Sequence, residues 1–418
     1  MSFAYVGGVY SAEGVSLEDV AERFGTPCYV YSRAAIESKY REFTQALAAS
    51  DRSRRSLVCY SVKANSNLAV LALLARLGAG FDIVSGGELA RVRAAGGDLR
   101  KVVFSGVGKT DAEIVQALDA QVLCLNLESE EELVRTDAIA RRLGVRAPVA
   151  FRVNPDVDAK THPYISTGLK HSKFGVAYAD AERLYRDAAA RPGIEVIGLG
   201  CHIGSQSTDP APLAEAAQRM VMLAERLERQ GIALRHIDLG GGIGIRYRDE
   251  SPPPIGRFVE ALSGALGARR ETLILDPGRS IVGNAGVLLT RIEYVKRGTE
   301  KNFAVVDAAM NDLLRPALYQ AWHEVVAIRP ADGAEEIYDV VGPVCESADF
   351  LAHGRKLPAV AGGLLAIRSA GAYGMVMSSN YNSRPRCPEV MVDGARAELV
   401  RKRESVEELF AMESIPAW

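Results

Sequence analysis

The stretch SLVCYSVKANSN, Ser56–Asn67, decides how the rest of the chain is read. Leu57, Val58, Cys59, Tyr60 and Val62 make a nearly unbroken apolar run of strand length, and Lys63 arrives where the chain should turn into a helix. A lysine is almost never buried without a partner. Either this one bends its ammonium out to water, or it stands at the end of a strand for a chemical reason. The choice depends on how many similar strands follow and on what stands at their ends.

The runs GFDIVS (80–85), KVVFSG (101–106), VLCLNLE (122–128), PVAFRVN (148–154), VIGLGCHIG (196–204), RHIDLGGG (235–242) and TLILD (272–276) repeat the pattern of LVCYSV (57–62). Between them lie polar turns and segments of helical period. Short apolar runs alternating with helices imply parallel strands buried on both faces. Thr110 with Glu113, and Ser129 with Glu132, have the spacing of capping boxes. Leu71, Leu74 and Leu77 form one apolar helical face that Gly78 ends. Eight such units predict an α/β fold, an eight-stranded (β/α)8 TIM barrel, because an open doubly wound sheet usually has fewer strands and a Gly-rich fingerprint after its first.

Beyond residue 280 the texture changes. VGNAGVLLTRIEYVKRG, NFAVVDAAM, EEIYDVVGPV and PEVMVDGARAELV are strand-like without long helices between them, and Asp393-Gly394 signals a hairpin. These segments predict a mainly antiparallel β domain, barrel- or sandwich-like. The opening segment is too short to fold alone and is expected to join it. The expected division is a barrel over 30–275 and a discontinuous β domain over 1–29 and 276–418.

Composition narrows the function. The 418 residues are 48% hydrophobic and 24% charged with a formal net charge of −2, so a sizeable core is available. That charge gives no reason to expect nucleic acid or a membrane as partner. MSFAYVGGVY lacks the charged start and apolar run of a signal peptide, and no apolar run is long enough to span a bilayer; a cytoplasmic protein is expected. The six cysteines Cys28, Cys59, Cys124, Cys201, Cys345 and Cys387 show no CxxC or zinc-type clustering, so no metal is expected and reduced thiols fit that compartment.

In barrels the active site forms at the carboxyl ends of the strands, often with a phosphate beside strands seven and eight. Those ends carry Lys63, then Asp82 and Ser85, Arg152 and Asn154, His202, Gly204 and Ser205, Gly240 to Gly242, and Asp276, Gly278 and Arg279. The triple glycine removes every Cβ from one loop, so backbone amides can approach a phosphate, although such triplets also occur in plain turns. A lysine amine, a phosphate nest, a histidine able to stack and a fixed carboxylate together suggest pyridoxal 5'-phosphate, whose pyridinium nitrogen needs a carboxylate partner. Asp276 is the acid that strand eight offers.

Seven ordered segments then carry a resemblance: YSVKANSN (60–67), CHIGSQ (201–206), LGGGIGI (239–245), DPGRSIVGNAG (276–286), DAAMNDLLRPALY (307–319), GPVCESADFL (342–351) and GAYGMVMSSNYNSRPR (371–386). Together they resemble the diaminopimelate decarboxylase family, which shares its fold with eukaryotic ornithine decarboxylases and alanine racemase, over almost the whole chain. The resemblance implies that Lys63 condenses with the cofactor aldehyde and His202 stacks on its ring. Ser205, Gly241 and Gly242 hold the phosphate with the 276–279 turn, Gly278 and Arg279 included, and Asp276 binds the ring nitrogen. Here the sequence departs from the family, which usually has glutamate in EPGR. Asp82 and Arg152 either lie near the ring or tie strands together inside the barrel mouth.

The carboxylate that leaves as carbon dioxide should not be clamped by arginine, because stabilising it in the ground state raises the barrier. Arg279 and Arg315, helped by Tyr319, are therefore expected to grip the distal carboxylate of meso-diaminopimelate, with Glu346 on its distal ammonium. The resemblance further implies that Cys345 protonates the product carbon from the neighbouring subunit of a homodimer with shared active sites, and that Tyr373 contacts cofactor and substrate. The implied activity is decarboxylation of meso-diaminopimelate to L-lysine through a Schiff base with the cofactor. The alternatives are a decarboxylase of ornithine, arginine or carboxynorspermidine, an alanine racemase, and a non-catalytic cofactor carrier. GPVCES speaks against the racemase, and the residues after the barrel against a bare carrier.

Overall fold

The computed structural model describes residues 2–157, 173–330 and 335–418. The chain divides into two units. One comprises Glu37–Ile245 and Ser251–Ser280, and the other Met1–Ile36, Arg246–Glu250 and Ile281–Trp418.

In the first unit the eight apolar runs become eight strands: Ser56–Ser61, Gly80–Ile83, Val102–Phe104, Cys124–Leu127, Ala147–Asn154, Ile194–Gly200, His236–Asp238 and Thr272–Leu275. Each pairs in parallel with the next, and the eighth returns to the first with Leu273 opposite Ser56. The sheet is therefore closed into a TIM barrel, with the two-residue strand Val176–Ala177 added outside the ring beside strand five. Its interior is packed. Cys59 of the first strand meets Val103 of the third and Ile274 of the eighth, and Cys124 meets Ala150 and Ile197; all six are buried. The cysteines here act as small hydrophobes.

Seven helices follow their strands, the first over Leu68–Arg76 with Asn67 accepting from the Ala69 amide at 2.9 Å and Gly78 left-handed just beyond it. The eighth does not. Strand eight leads only into the helical turn Arg279–Val282, after which the chain leaves the barrel unit. Helix Arg33–Ser50, ahead of the first strand, packs instead on the seventh-strand helix Ile255–Leu266: Phe43 and Phe258 meet edge to face at 6.4 Å, and the Ser50 and Ser263 hydroxyls lie 3.0 Å apart.

The capping boxes divide as well. Thr110 and Glu113 reciprocate. Ser129 caps the Glu132 amide, but the Glu132 carboxylate accepts from the Glu128 amide at 2.8 Å and from Lys109 at 2.7 Å. Lys109 is buried with all three donors used, on Glu132 and on the carbonyls of Gly106 and Asn126. A buried ammonium so satisfied is structural.

The second unit is built on the long strand Gly286–Lys296. It pairs antiparallel with Cys28–Ser32, Asn302–Val306 and Leu364–Ile367. Two pairings are parallel, Asn302–Val306 with Glu336–Val341 and Cys28–Ser32 with Glu389–Asp393; the rest of the unit is antiparallel, so the sheet is mainly but not wholly of that kind. The buried core gathers Val30, Val287, Leu289, Ala366, Val390 and Val392. The terminal hairpin forms with Asp393 still paired to Arg396 and only Gly394 left-handed in the turn. Among the described residues no helix is long and apolar enough to cross a membrane.

Candidate active site

The first strand ends at Ser61, and Lys63 sits in the single helical turn Val62–Ala64 that follows. Its Nζ donates to Asp82 Oδ2 at 2.9 Å. Asp82, at the end of the adjacent second strand, also accepts from the Ser61 hydroxyl at 2.9 Å and the Ser105 hydroxyl at 2.7 Å. Burial alone would raise the Asp82 carboxyl, but the Lys63 charge and the three donated hydrogen bonds outweigh it and hold the group below the usual carboxylate range. Lys63 is thus partly open to solvent, with 37% of its side chain exposed, and anchored by a carboxylate with 1% exposure.

Strands seven and eight supply the cradle. Gly240 and Gly242 are left-handed, at φ 75° and 71°. A Cβ on Gly241 would lie 2.6 Å from the Asp276 carbonyl oxygen, and one on Gly242 would lie 2.9 Å from that of Gly204. Only glycine allows these loops to close on one another. The eighth-strand turn is in its turn clasped to the first strand: the Ser61 amide donates to the Pro277 carbonyl at 3.1 Å, and Gly278 leaves no room for a Cβ against Ser61 and Ala64. Arg279 Nε donates to the Ser205 hydroxyl at 3.2 Å, which joins the sixth-strand loop to the same turn.

Asp276 is buried, and its Oδ1 has no hydrogen-bond partner among the described residues. The His202 ring offers Nδ1 at 3.5 Å, too far for a good hydrogen bond. A buried carboxylate oxygen left without a donor is costly, so the site lacks one N–H or O–H donor at this point. A protonated ring nitrogen is a donor of the kind that would complete it. The glycine cradle and the orphaned carboxylate fit a pyridoxal-type cofactor, and the shorter aspartate in place of glutamate still supplies that carboxylate.

Arg152 ties the barrel mouth together. Its guanidinium lies 3.6 Å from Glu128 Oε1, stacks over Phe174 at 4.8 Å and reaches the His202 carbonyl at 3.5 Å. Glu128 also accepts from the amides of Gly106 and Gly175. Asp238, at the end of strand seven, is buried and accepts from the Gly240 amide at 3.0 Å; burial first and the Asp276 charge second push its carboxyl well above the usual range. Glu88, in the first turn of helix Gly86–Ala94, accepts from the Val84 amide, and burial raises it to about 7. Reading the chain missed Ser61, Ser105, Glu128, Asp238 and Glu88. The strand-end rule that points to Lys63 also reaches Ser105 and Glu128, which directly follow strands three and four.

The remaining candidates lie in the second unit. Arg315 opens the short helix Arg315–Tyr319 and is buried, with Tyr319 half-buried at its end. Cys345 and Glu346 are exposed on a loop that Asp349 pins, accepting from the Val344 amide at 2.8 Å and the Met310 amide at 2.7 Å. The Cys345 amide donates to Asn382 Oδ1 at 2.7 Å. Tyr373 is left-handed at φ 54°, a strained conformation for an aromatic residue that concentrates at functional sites. No cluster of metal-ligating side chains exists among the described residues.

The pyridoxal binding domain of the pyridoxal-dependent decarboxylases matches residues 33–283. A diaminopimelate decarboxylase from Pseudomonas fluorescens is 60% identical over 415 residues, covering 99% of each chain. The structure of a diaminopimelate decarboxylase from Helicobacter pylori complexed with L-lysine superposes with a TM-score of 0.91 at 42% identity, over 95% of this chain and 99% of that one. The enzyme from M. jannaschii in co-complex with L-lysine gives a TM-score of 0.95 at 36% identity, over 99% and 98%.

Proposed function

The chain belongs to the diaminopimelate decarboxylase family of pyridoxal-dependent decarboxylases, and from that premise we propose the residues by which it works, with pyridoxal 5'-phosphate as its cofactor. The reaction removes the carboxylate at one amino-acid centre of meso-diaminopimelate and leaves L-lysine, the closing step of lysine biosynthesis. The observation that carries the reading is the buried Asp276 Oδ1 without a donor, at the strand-eight turn that is hydrogen-bonded to the Lys63 strand.

Bound pyridoxal phosphate supplies an electron sink for the carbanion left when carbon dioxide departs. The protein's part is placement and protons. Lys63 offers its amine to the aldehyde, and Asp82 with Ser61 and Ser105 fixes where that amine stands. Asp276 would hold the proton on the ring nitrogen, which sets the strength of the sink, and His202 would cover the ring. Ser205, Gly241, Gly242 and Gly278 would receive the phosphate, on loops that the glycines allow to close on one another. Arg152 braces the mouth by holding Glu128 and the His202 carbonyl.

Arg279, Arg315 and Tyr319 bind the distal carboxylate, and Glu346 the distal ammonium, so that binding energy is spent away from the carboxylate that leaves. Tyr373 contacts cofactor and substrate. Cys345 returns the proton to the product carbon, and its exposure suits a residue contributed to a neighbouring copy in a two-fold homodimer.

Carbon dioxide release from meso-diaminopimelate, ornithine, arginine and lysine, supplied separately to the cofactor-loaded protein, tests the substrate. Release from meso-diaminopimelate alone is expected; release from ornithine alone rejects it. Mixing a Lys63→Ala variant with a Cys345→Ala variant tests the dimer. Hybrid dimers with one intact shared site should regain activity that neither parent has, and mixtures that stay as inactive as the parents rule out shared sites.

A further inference from the structure

Arg315 does not stand alone in the second unit. Its Nη1 lies 2.7 Å from His323 Nε2, and its guanidinium stacks at 4.6 Å over the ring of Tyr247, which meets the His323 ring edge to face at 5.4 Å. His323 Nδ1 lies 2.8 Å from the Arg368 carbonyl oxygen, and its own carbonyl accepts from Arg355 at 3.0 Å. His323 has no exposed surface, and Arg315 and Tyr247 are each 7% exposed.

These contacts fix the tautomer twice over. A guanidinium nitrogen only donates, so His323 Nε2 must be bare and accept; a carbonyl oxygen only accepts, so Nδ1 must carry the hydrogen. The ring is a neutral, directed acceptor held between a backbone carbonyl and an arginine. Arg315 thereby has one terminal nitrogen fixed by His323 and one face fixed by Tyr247, which together set the plane of its fork. Bidentate recognition of a carboxylate depends on that plane.

We propose that His323 is a positioning residue for substrate selection: through Nε2 it holds the Arg315 guanidinium in the orientation that receives the distal carboxylate. This rests on the reading of Arg315 as the ligand of that carboxylate, and the experiment separates the two. In the cofactor-loaded enzyme, kcat and KM for meso-diaminopimelate are measured for Arg315→Gln, His323→Leu and His323→Gln. Leucine removes the acceptor, whereas the glutamine side-chain oxygen reaches nearly to the Nε2 position and keeps it. His323→Leu should raise KM roughly tenfold while kcat changes by less than about twofold, because binding common to ground and transition states moves KM alone. His323→Gln should return KM to within about threefold of the parent enzyme.

If Arg315→Gln leaves KM unchanged, the carboxylate reading falls and this proposal with it. If Arg315→Gln raises KM but His323→Leu does not, or if both His323 variants raise it equally, only the role of His323 is overturned. Should the leucine variant fail to fold, nitrogen NMR of histidine-labelled enzyme decides: His323 must show a protonated Nδ1 and a bare Nε2, and the opposite pattern ends the proposal.

Discussion

The two units place functional side chains by different means. In the barrel every candidate stands at or just past the carboxyl end of a strand, so a repeating secondary structure delivers Lys63, Asp82, Arg152, His202, Asp276 and Arg279 to one rim. In the second unit the candidates stand on a five-residue helix, a loop pinned by Asp349 and a left-handed turn at Tyr373. No periodicity generates those positions. The first unit shows that a closed fold can line up polar side chains as a by-product of its symmetry; the second shows candidate side chains secured one hydrogen bond at a time.

The sharpest way to break this contrast is at Lys63. If the rim is a chemical surface on an independent scaffold, Lys63→Ala should cut carbon dioxide release by roughly 10³-fold or more while the fold survives. More than a third of the Lys63 side chain is exposed, and Asp82 keeps the Ser61 and Ser105 hydroxyls after the loss. The buried Asp82 does lose its cation, so the urea midpoint should fall while the transition stays cooperative. A variant that turns over at the parent rate refutes the assignment, and one that no longer folds refutes the separation of rim from scaffold.

Below the rim, polar residues of the same strands serve packing instead. His236 begins strand seven, two residues before Asp238, and its ring lies where a Cβ on Gly198 would need to be. Its Nε2 is buried without a partner among the described residues, and burial first, the Arg235 charge second, push the ring down to about 4. The unfolded chain binds this proton near pH 6.5, so below that the unfolded state takes up a proton the folded state refuses, and stability falls as pH drops from about 6.5 to about 4. The loss attributable to this one ring amounts to ~3 kcal/mol at most. Urea midpoints of the parent and of His236→Leu at pH 7 and pH 4.5 should converge in slope against pH if another group is responsible, and diverge, the leucine variant being less acid-sensitive, if His236 is.

The barrel was legible because strands buried on both faces write themselves as continuous apolar runs, and the rim followed from a rule about strand ends. The rest was set by partners distant in sequence. Nothing local distinguishes Ser129 from Thr110 as a cap, yet Lys109 diverts the Glu132 carboxylate, so of these two boxes that of Thr110 alone is reciprocal. The residues Arg246–Glu250 continue directly from the glycine loop, but Tyr247 and Arg248 stack on Arg315 and Trp322 and so go with the second unit. The eighth helix was misplaced for a similar reason: the pattern promises one after each strand, whereas Phe43 brings Arg33–Ser50 onto Phe258 from the other end of the unit.

The smallest effect falls on Tyr373, and it sharpens what holds the second unit's candidates in place. Its flanking glycines are forced by contact, since a Cβ on Gly371 would lie 2.0 Å from the Val282 carbonyl oxygen and one on Gly374 would lie 2.5 Å from that of Ala370. Tyr373 itself keeps φ 54° in spite of its Cβ, at a cost of about 1–2 kcal/mol. Tyr373→Gly relieves that strain but also loosens the unfolded chain, which offsets about 1 kcal/mol, so stability should rise by no more than about 1 kcal/mol. Activity should fall at the same time. A glycine variant that is both more stable and fully active would mean the strained turn serves only the path of the chain, whereas stability retained with activity lost marks the strain as the means by which the aromatic ring is presented.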